Sequence, residues 1–431
     1  MLQTANRHLI FILLLLCLLM LLKELIYCPW RAKYIAISIR QRMHEVYQME
    51  HPRRRPINAA KNRLRKQKRI AVIVIACYRT ALLRRLLNDI SRLLPKSGKF
   101  GVFVSLGCDN SDARQIMEQF TNIVQIESQR LNSTREVNST GYGEELSAAF
   151  LARITTERRK SLLERGRRDE LIRISAQYKY ALSIVFDVFA YDYAVFIEEN
   201  SLISDDFFEY FLAGERLLSQ DTSIFCISAW NDNGIPSLIE RNNSLLWRSD
   251  FFSGVGWMIS SSTWSDLSNQ WVELFWDEWL RMKMYDQGKV CIRPEISRIA
   301  IADDSSSREV VEETEPYGFK AVTLNAEPFN FTAANLDYLI REHYDAELEK
   351  TIGEAIIVEE SDIFNGLMDY NRSPIKIYYS TTQQFERLST FFRYVPYSQG
   401  DLCVSCYKGI LRFYWHSSPV YILKAKRFQS S

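Results

Sequence analysis

No internal repeat, low-complexity tract or second long apolar run interrupts the 431 residues, so neither a repeat architecture nor a polytopic membrane protein is expected. Histidine is scarce, with 5 in the chain, and the close pair Cys403-Val-Ser-Cys406 has no second cysteine pair or histidine cluster beside it. A zinc site there is disfavoured, and a local bridge or a pair of structural thiols is expected. Basic charge is also short over most of the length. Residues 1–70 hold 15 Lys/Arg against 3 Asp/Glu, leaving 39 against 49 for the remaining 361. That acidic remainder argues against a nucleic-acid-binding body. With 47% apolar and 25% charged residues, the composition is that of a globular protein with material for one large domain or two fused smaller ones.

The long apolar run that does occur is Leu9–Leu22, with a shorter apolar continuation through Leu25 to Trp30. A spanning helix wants about 20 apolar residues and a secretory signal about 7–15. No small-x-small cleavage site follows, which favours a transmembrane signal anchor over 9–28 after a short cytoplasmic tail, 1–8. Basic residues behind the span would by themselves hold the body in the cytosol. Five Asn-x-Ser/Thr sequons, at Asn132, Asn138, Asn242, Asn330 and Asn371, point instead to a luminal body, and long domains translocate largely regardless of flanking charge. Beyond the anchor, 29–69 reads as a basic stem. The body carries Cys77, Cys108, Cys226, Cys291, Cys403 and Cys406, an even number that suggests disulfides in an oxidising lumen, with the pairing left open by spacing.

Folded structure should begin at Ile70–Cys77, a β-branched run suited to a strand buried on both faces. Helical apolar spacing over 79–94, a second buried strand over 101–106, helix from Ser111, helix over 171–189 and a third strand over 193–197 follow. Strand alternating with helix implies an α/β fold with a mostly parallel sheet. Ser204-Asp205-Asp206 can cap a helix over 207–218, and 225–230 reads as a further strand. Residues 130–160 read as a loop. From Phe319 the pattern turns to short strands, at 320–324, 354–359 and 376–379, which suggests a smaller C-terminal domain over 316–431 behind a catalytic domain over 70–315.

In such a sheet ligands gather at the carboxyl ends of the strands, where Glu198-Glu199-Asn200 stands. A carboxylate there can hold a divalent cation against the leaving pyrophosphate of a nucleotide sugar; a turn or helix cap would use the same residues. Downstream, aromatic rings alternate with acids, as in Phe275-Trp-Asp-Glu-Trp279. Rings cover the C–H faces of sugars while carboxylates bind or deprotonate their hydroxyls, although single tryptophans serve equally as core.

Seven segments carry a resemblance: Ala71-Val-Ile-Val-Ile-Ala-Cys-Tyr-Arg79, Val195-Phe-Ile-Glu-Glu-Asn200, Asp206-Phe-Phe-Glu-Tyr-Phe211, Ser228-Ala-Trp-Asn-Asp-Asn-Gly234, Arg248-Ser-Asp-Phe-Phe-Ser-Gly-Val-Gly-Trp257, Phe275-Trp-Asp-Glu-Trp279 and Cys291-Ile-Arg-Pro-Glu-Ile-Ser-Arg298. In order and spacing, over about residues 70–350, they resemble the N-acetylglucosaminyltransferase I family. The resemblance implies an A-type glycosyltransferase fold, UDP-GlcNAc as donor, Mn2+ as metal, a mannose-terminated asparagine-linked glycan as acceptor, and an inverted β-1,2 product. It further implies a single-pass type II Golgi membrane protein, and disulfides Cys77–Cys108 and Cys226–Cys291. Carried onto this chain, Glu198 and Glu199 hold the donor's sugar and ribose, Arg79 belongs to the donor site, Asn200 ligates the metal, Trp276 walls the sugar pocket and Asp277 is the base. Glu278 is the nearest substitute for that base.

Three positions depart from the family pattern. Asn200 puts a neutral amide where the family has an aspartate, which weakens metal binding. Gly107 and Gln177 stand where the family reads uracil with Asp and His. The lid segment 303–309 is acidic, with Arg308 as its cation. Alternative readings are a weak or inactive glycan-binding relative, and a related transferase acting on mannose linked to protein Ser or Thr.

Overall fold

The computed structural model describes residues 68–127, 165–302, 322–366, 372–396, 398–399 and 402–425. The anticipated tail, anchor and most of the stem lie outside those residues, as do the 130–160 loop, the 303–309 segment, and Asn132, Asn138 and Asn371. Among the described residues, no helix is long and apolar enough to cross a membrane.

The first half of the body alternates strand and helix: β1 (Ile70–Ala76), α1 (Thr80–Leu93), β2 (Phe100–Leu106), α2 (Ser111–Met117), β3 (Ile123–Glu127), α3 (Arg165–Ser183), β4 (Tyr193–Glu198), β5 (Ser201–Ile203), α4 (Phe207–Gln220) and β6 (Ile224–Ser228). Every residue of β1 is buried, as a strand covered on both faces requires. Helix α1 turns Leu83, Leu86, Leu87 and Ile90 inward, the i, i+3, i+4, i+7 stripe of an amphipathic helix. Each such side chain contributes about 1.5–3 kcal/mol of burial.

The chain continues through β7 (Leu246–Ser249), β8 (Trp257–Ser260), α5 (Ser261–Leu267), α6 (Trp276–Asp286), β9 (Val290–Pro294) and β10 (Ile299–Ile301). One eight-stranded sheet runs β3-β2-β1-β4-β8-β6-β9-β7. Strands β1 to β4 are mutually parallel, whereas β8 enters antiparallel to both β4 and β6. The α/β class read from the sequence holds; its parallel half is the part that pattern predicted, and β7, β8 and β9 add a mixed half.

Beyond residue 340 come α7 (Arg341–Glu354), β11 (Ile356–Ile357), α8 (Glu360–Phe364), β12 (Ile375–Tyr379), α9 (Thr382–Phe392), β13 (Ser398–Gln399), β14 (Leu402–Cys403), β15 (Cys406–Tyr407), β16 (Ile410–Trp415) and β17 (Ser418–Lys424). A second sheet, β11-β12-β17-β16-β15, has its own core around Ile377, Phe385, Leu388, Phe392, Phe413 and Ile422. The hairpin of β16 and β17, absent from the sequence reading, builds most of it. The strand anticipated at 320–324 reduces, over its described part, to a bridge between Ser297 and Leu324.

Asp206 does not cap α4 through its side chain, contrary to the reading of Ser204-Asp205-Asp206. Its carboxylate instead accepts hydrogen bonds from Arg298 Nε and Nη2 at 3.2 Å, from Asn325 Nδ2 at 3.1 Å and from the Phe329 amide at 3.2 Å. A fully buried guanidinium needs a charged acceptor more than a helix end needs one further bond. Disulfides join Cys77 to Cys108, Cys226 to Cys291, and Cys403 to Cys406. The first two are the pairs implied by the resemblance, and the third is the local bridge.

Candidate active site

The strand order reverses direction at β1 and β4: β2 and β3 extend one way from β1 and the rest of the sheet extends the other. In an open α/β sheet the crevice outside the carboxyl ends of those two strands is where ligands bind. Arg79 follows β1 there, and Glu198 ends β4.

Glu199, buried, fastens the two strand ends together. Its Oε2 accepts the Cys77 amide at 2.8 Å, and its Oε1 accepts those of Tyr78 and Arg79 at 3.2 and 3.1 Å. These amides lead into α1, so a carboxylate already fills the anion-binding start of that helix. The turn carrying Arg79 is thereby fixed. A carboxylate offers about four lone-pair sites, so Glu199 keeps capacity for one further donor. Asn110 braces the same turn from β2: its Nδ2 donates to the Cys77 carbonyl at 2.8 Å while its Oδ1 caps α2. Asn200 is buried in the β4–β5 turn, where its carbonyl accepts the Ala302 amide at 2.8 Å.

Asp277 arrives from the other half. Phe275, at φ 51°, takes the left-handed conformation just before α6, a costly state for a bulky residue that reverses the chain and puts Trp276 and Asp277 in the first helical turn. Trp276 is 9% exposed and packs between Tyr178, at 4.2 Å between ring centroids, and Trp271 and Trp257, each at 5.9 Å. Phe196 of β4 stacks on Trp257 at 4.7 Å. This ladder of rings is the floor on which the acids stand. Gly254, at φ +78°, lies beside Asp277, and a Cβ there would stand in ordinary contact with that of Asp277 at 3.9 Å. Glu278 points elsewhere: it is buried and paired with Arg281 at 2.7 Å, which removes it as a substitute base.

The electrostatics tie these groups together. Glu198 is surrounded by protein atoms, yet water reaches its carboxylate. Its pKa is raised, first by the low-dielectric surroundings and then by the charges of Glu199 and Asp277, against a 3.3 Å hydrogen bond from the Tyr178 hydroxyl and the charge of Arg79. Solvent access softens the desolvation, but the two neighbouring carboxylates push in the same direction. Tyr178, fully buried, is raised well above the usual tyrosine value by desolvation and by Glu198 and Asp277. It is the residue the sequence reading passed over. Its only signal there was its place on the inward face of α3, beside Gln177. Asp232, after β6, was quoted only as part of a segment; it accepts the Ser253 hydroxyl at 2.6 Å, and desolvation raises it against that bond and the charges of Arg281 and Arg293.

A profile of the GNT-I family matches residues 35–430. The chain belongs to the GNT-I family. A curated relative, the Arabidopsis thaliana alpha-1,3-mannosyl-glycoprotein 2-beta-N-acetylglucosaminyltransferase, is 28% identical over 80% of this chain and 71% of its own length. Among solved structures, the S. aureus TarS 1–349 fragment aligns at TM-score 0.31 and 13% identity, over 54% of this chain and 60% of that one. The mannosyltransferase PcManGT of Pyrobaculum calidifontis, solved with GDP-Man and Mn2+, aligns at 0.31 and 12%, over 56% and 59%. The match thus spans about three-fifths of each of these two solved chains.

Gly107 and Gln177, two of the departures noted in the sequence, prove to be one feature. A Cβ on Gly107 would lie 2.1 Å from Gln177 Oε1. The Gln177 amide is held there by its Nε2, which donates to the Ser105 carbonyl at 2.7 Å. The glutamine therefore occupies the volume a side chain at 107 would take. For a metal, no group of three or more His, Cys, Asp or Glu stands together among the described residues. The donor set is then a single hard oxygen, that of the Asn200 carboxamide, in the turn that follows Glu198. Such a set fits a hard divalent cation that shares its shell with phosphate oxygens and water, not a cage made of protein alone.

Proposed function

We propose that this chain transfers GlcNAc from UDP-GlcNAc to a mannose of an asparagine-linked glycan in β-1,2 linkage, with inversion at the anomeric carbon. The observation that carries this reading is that Glu198, bonded to the Tyr178 hydroxyl beside the Trp276 ring, feels the charges of both Asp277 and Arg79 at the switch point of a GNT-I family chain. Asp277 takes the proton of the attacking mannose hydroxyl. That oxygen bonds to the donor's anomeric carbon on the face opposite UDP, the bond to the diphosphate breaks, and UDP leaves with the electron pair. One positioned base suffices for inversion and contributes about 10²–10⁴-fold. Glu198 receives the donor sugar's hydroxyls, Arg79 offsets the diphosphate charge, and the aromatic floor covers the sugar's C–H face. A divalent cation, Mn2+ in this reading, would supply further charge to the leaving diphosphate, with Asn200 as its protein ligand. The apolar run at 9–22 and the sequons support a type II Golgi membrane protein with this body in the lumen.

The experiment is transfer by the full-length chain in detergent, from UDP-GlcNAc to a five-mannose asparagine-linked glycan, with Mn2+ or with chelator. Product formed with metal and lost with chelator supports the reading. One feature favours the alternative of a weakly active glycan-binding relative: Gln177 fills the space at Gly107, beside the neutral Asn200. Folded chain that neither transfers nor binds UDP-GlcNAc in Mn2+ would decide for that alternative.

A further inference from the structure

Far from the switch point, the last strand of the main sheet faces the C-terminal hairpin across a small, partly open cavity lined by Trp247, Arg248, Arg293, Ser405 and Arg412, with Tyr344 and Tyr407. Its apolar wall is Leu348 and Ile410. Its volume, measured for the centre of a water-sized sphere, is about 10 Å³, which admits one small particle. Three guanidinium groups and no carboxylate line it.

Three buried polar atoms on lining residues have no hydrogen-bond partner: Arg248 Nε, Arg293 Nε and Ser405 Oγ. Arg248 is otherwise committed, with Nη1 on Asp221 and the Leu339 carbonyl at 2.8 Å each and Nη2 on Ser223 Oγ at 2.6 Å. Arg412 lies over the Trp247 ring, 3.2 Å from its centroid, and donates to the Tyr414 and Tyr421 hydroxyls. The acids approach from behind the lining. Asp221 is held by Arg248, Glu295 by the Glu240 amide and Trp247 Nε1, and Asp345 by the Tyr407 hydroxyl and Lys408.

We propose that this cavity binds one monovalent halide, chloride in the cell. The three unpartnered atoms are all able to donate, and two can do nothing else. A water molecule accepts from two of them and must then find acceptors for its own protons. A halide accepts from all three, carries the charge that three guanidiniums favour, and tolerates Leu348 and Ile410 beside it. Room for about one water-sized particle favours a monatomic ion over sulfate or phosphate. Because the donors come from β7, β9 and the Ser405 turn, the bound ion would link the main sheet to the turn between β14 and β15.

The test is thermal unfolding of the full-length chain in detergent, titrating chloride against gluconate at constant ionic strength, with bromide and sulfate as further arms. The expected result is a saturable rise of a few degrees, of the kind produced by any ligand selective for the folded state, in chloride and bromide and not in sulfate. Arg293→Lys keeps the charge but removes the Nε–H, and should abolish the difference. Bromide-soaked crystals should give one anomalous peak between Arg248, Arg293 and Ser405, which decides the matter even if the variant fails to fold. Equal midpoints in chloride and gluconate, or an ordered water in place of the bromide peak, overturn the proposal.

Discussion

Adjacent carboxylates in the first turn of α6 have different fates, because residues next to each other on a helix face about 100° apart. The charge of Asp277 reaches Glu198, whereas Glu278 is spent on Arg281. Asp277→Asn is therefore expected to lower kcat by about 10²–10⁴-fold with UDP-GlcNAc affinity nearly unchanged; a kcat within a few-fold of the parent would remove Asp277 from its role. Glu278→Gln should do the reverse, lowering stability by on the order of 3 kcal/mol as a buried charge loses its partner while the folded fraction keeps its kcat. Denaturation and turnover measured on the same preparations separate the two. At Gly107 the expectation is steric. Gly107→Asp drives a Cβ into the Gln177 amide and should lower the melting temperature, and Gln177→Ala in the same chain should restore most of it. The sequence disclosed both residues and their departure from the family, but not that one fills the other's place, since 70 positions separate them.

Elements that follow a single period were legible, and those set by distant partners were not. Strand β1 and helix α1 announce themselves through a β-branched run and a leucine stripe. The loop from Asp250 to Val255 shows no period, and its conformation depends on the C-terminal hairpin: the Asp250 amide donates to the Cys406 carbonyl at 2.7 Å, and its Oδ2 accepts the Lys408 amide. Desolvation raises the Asp250 carboxyl to about 6, against the backbone amides of Lys408 and Gly409 and the charges of Arg248 and Lys408. A carboxyl raised in the folded state holds its proton after the unfolded chain has released it, so the folded state is favoured at low pH and loses that advantage as pH rises from about 4 through about 6. Stability followed by denaturant titration should show this fall, and Asp250→Asn should flatten it. An identical slope in the variant would assign the fall to other groups. The same dependence on distant partners explains Asp206, whose position before α4 suggests a cap and whose actual partner, Arg298, is 92 residues away.

The whole molecule divides by charge and by carbohydrate. Its basic excess is confined to the first 70 residues, and the acidic body behind them carries all five sequons. Asn242 and Asn330, the two within the described residues, are both exposed. Asn242 Oδ1 accepts the Ser244 hydroxyl at 2.7 Å, and Asn330 Oδ1 that of Thr332 at 3.1 Å, so at each site the amide and hydroxyl stand at the surface together. The type II orientation we propose sets the flanking charge, which favours a cytosolic body, against these acceptors and the three disulfides, which need an oxidising lumen. In sealed microsomes programmed with the full-length chain, the body should resist added protease until detergent is present. It should also migrate faster after removal of asparagine-linked glycan, and Asn242→Gln with Asn330→Gln should remove part of that mobility shift. A body digested in intact vesicles and lacking glycan would place it in the cytosol, where its proposed acceptor glycan would not be met.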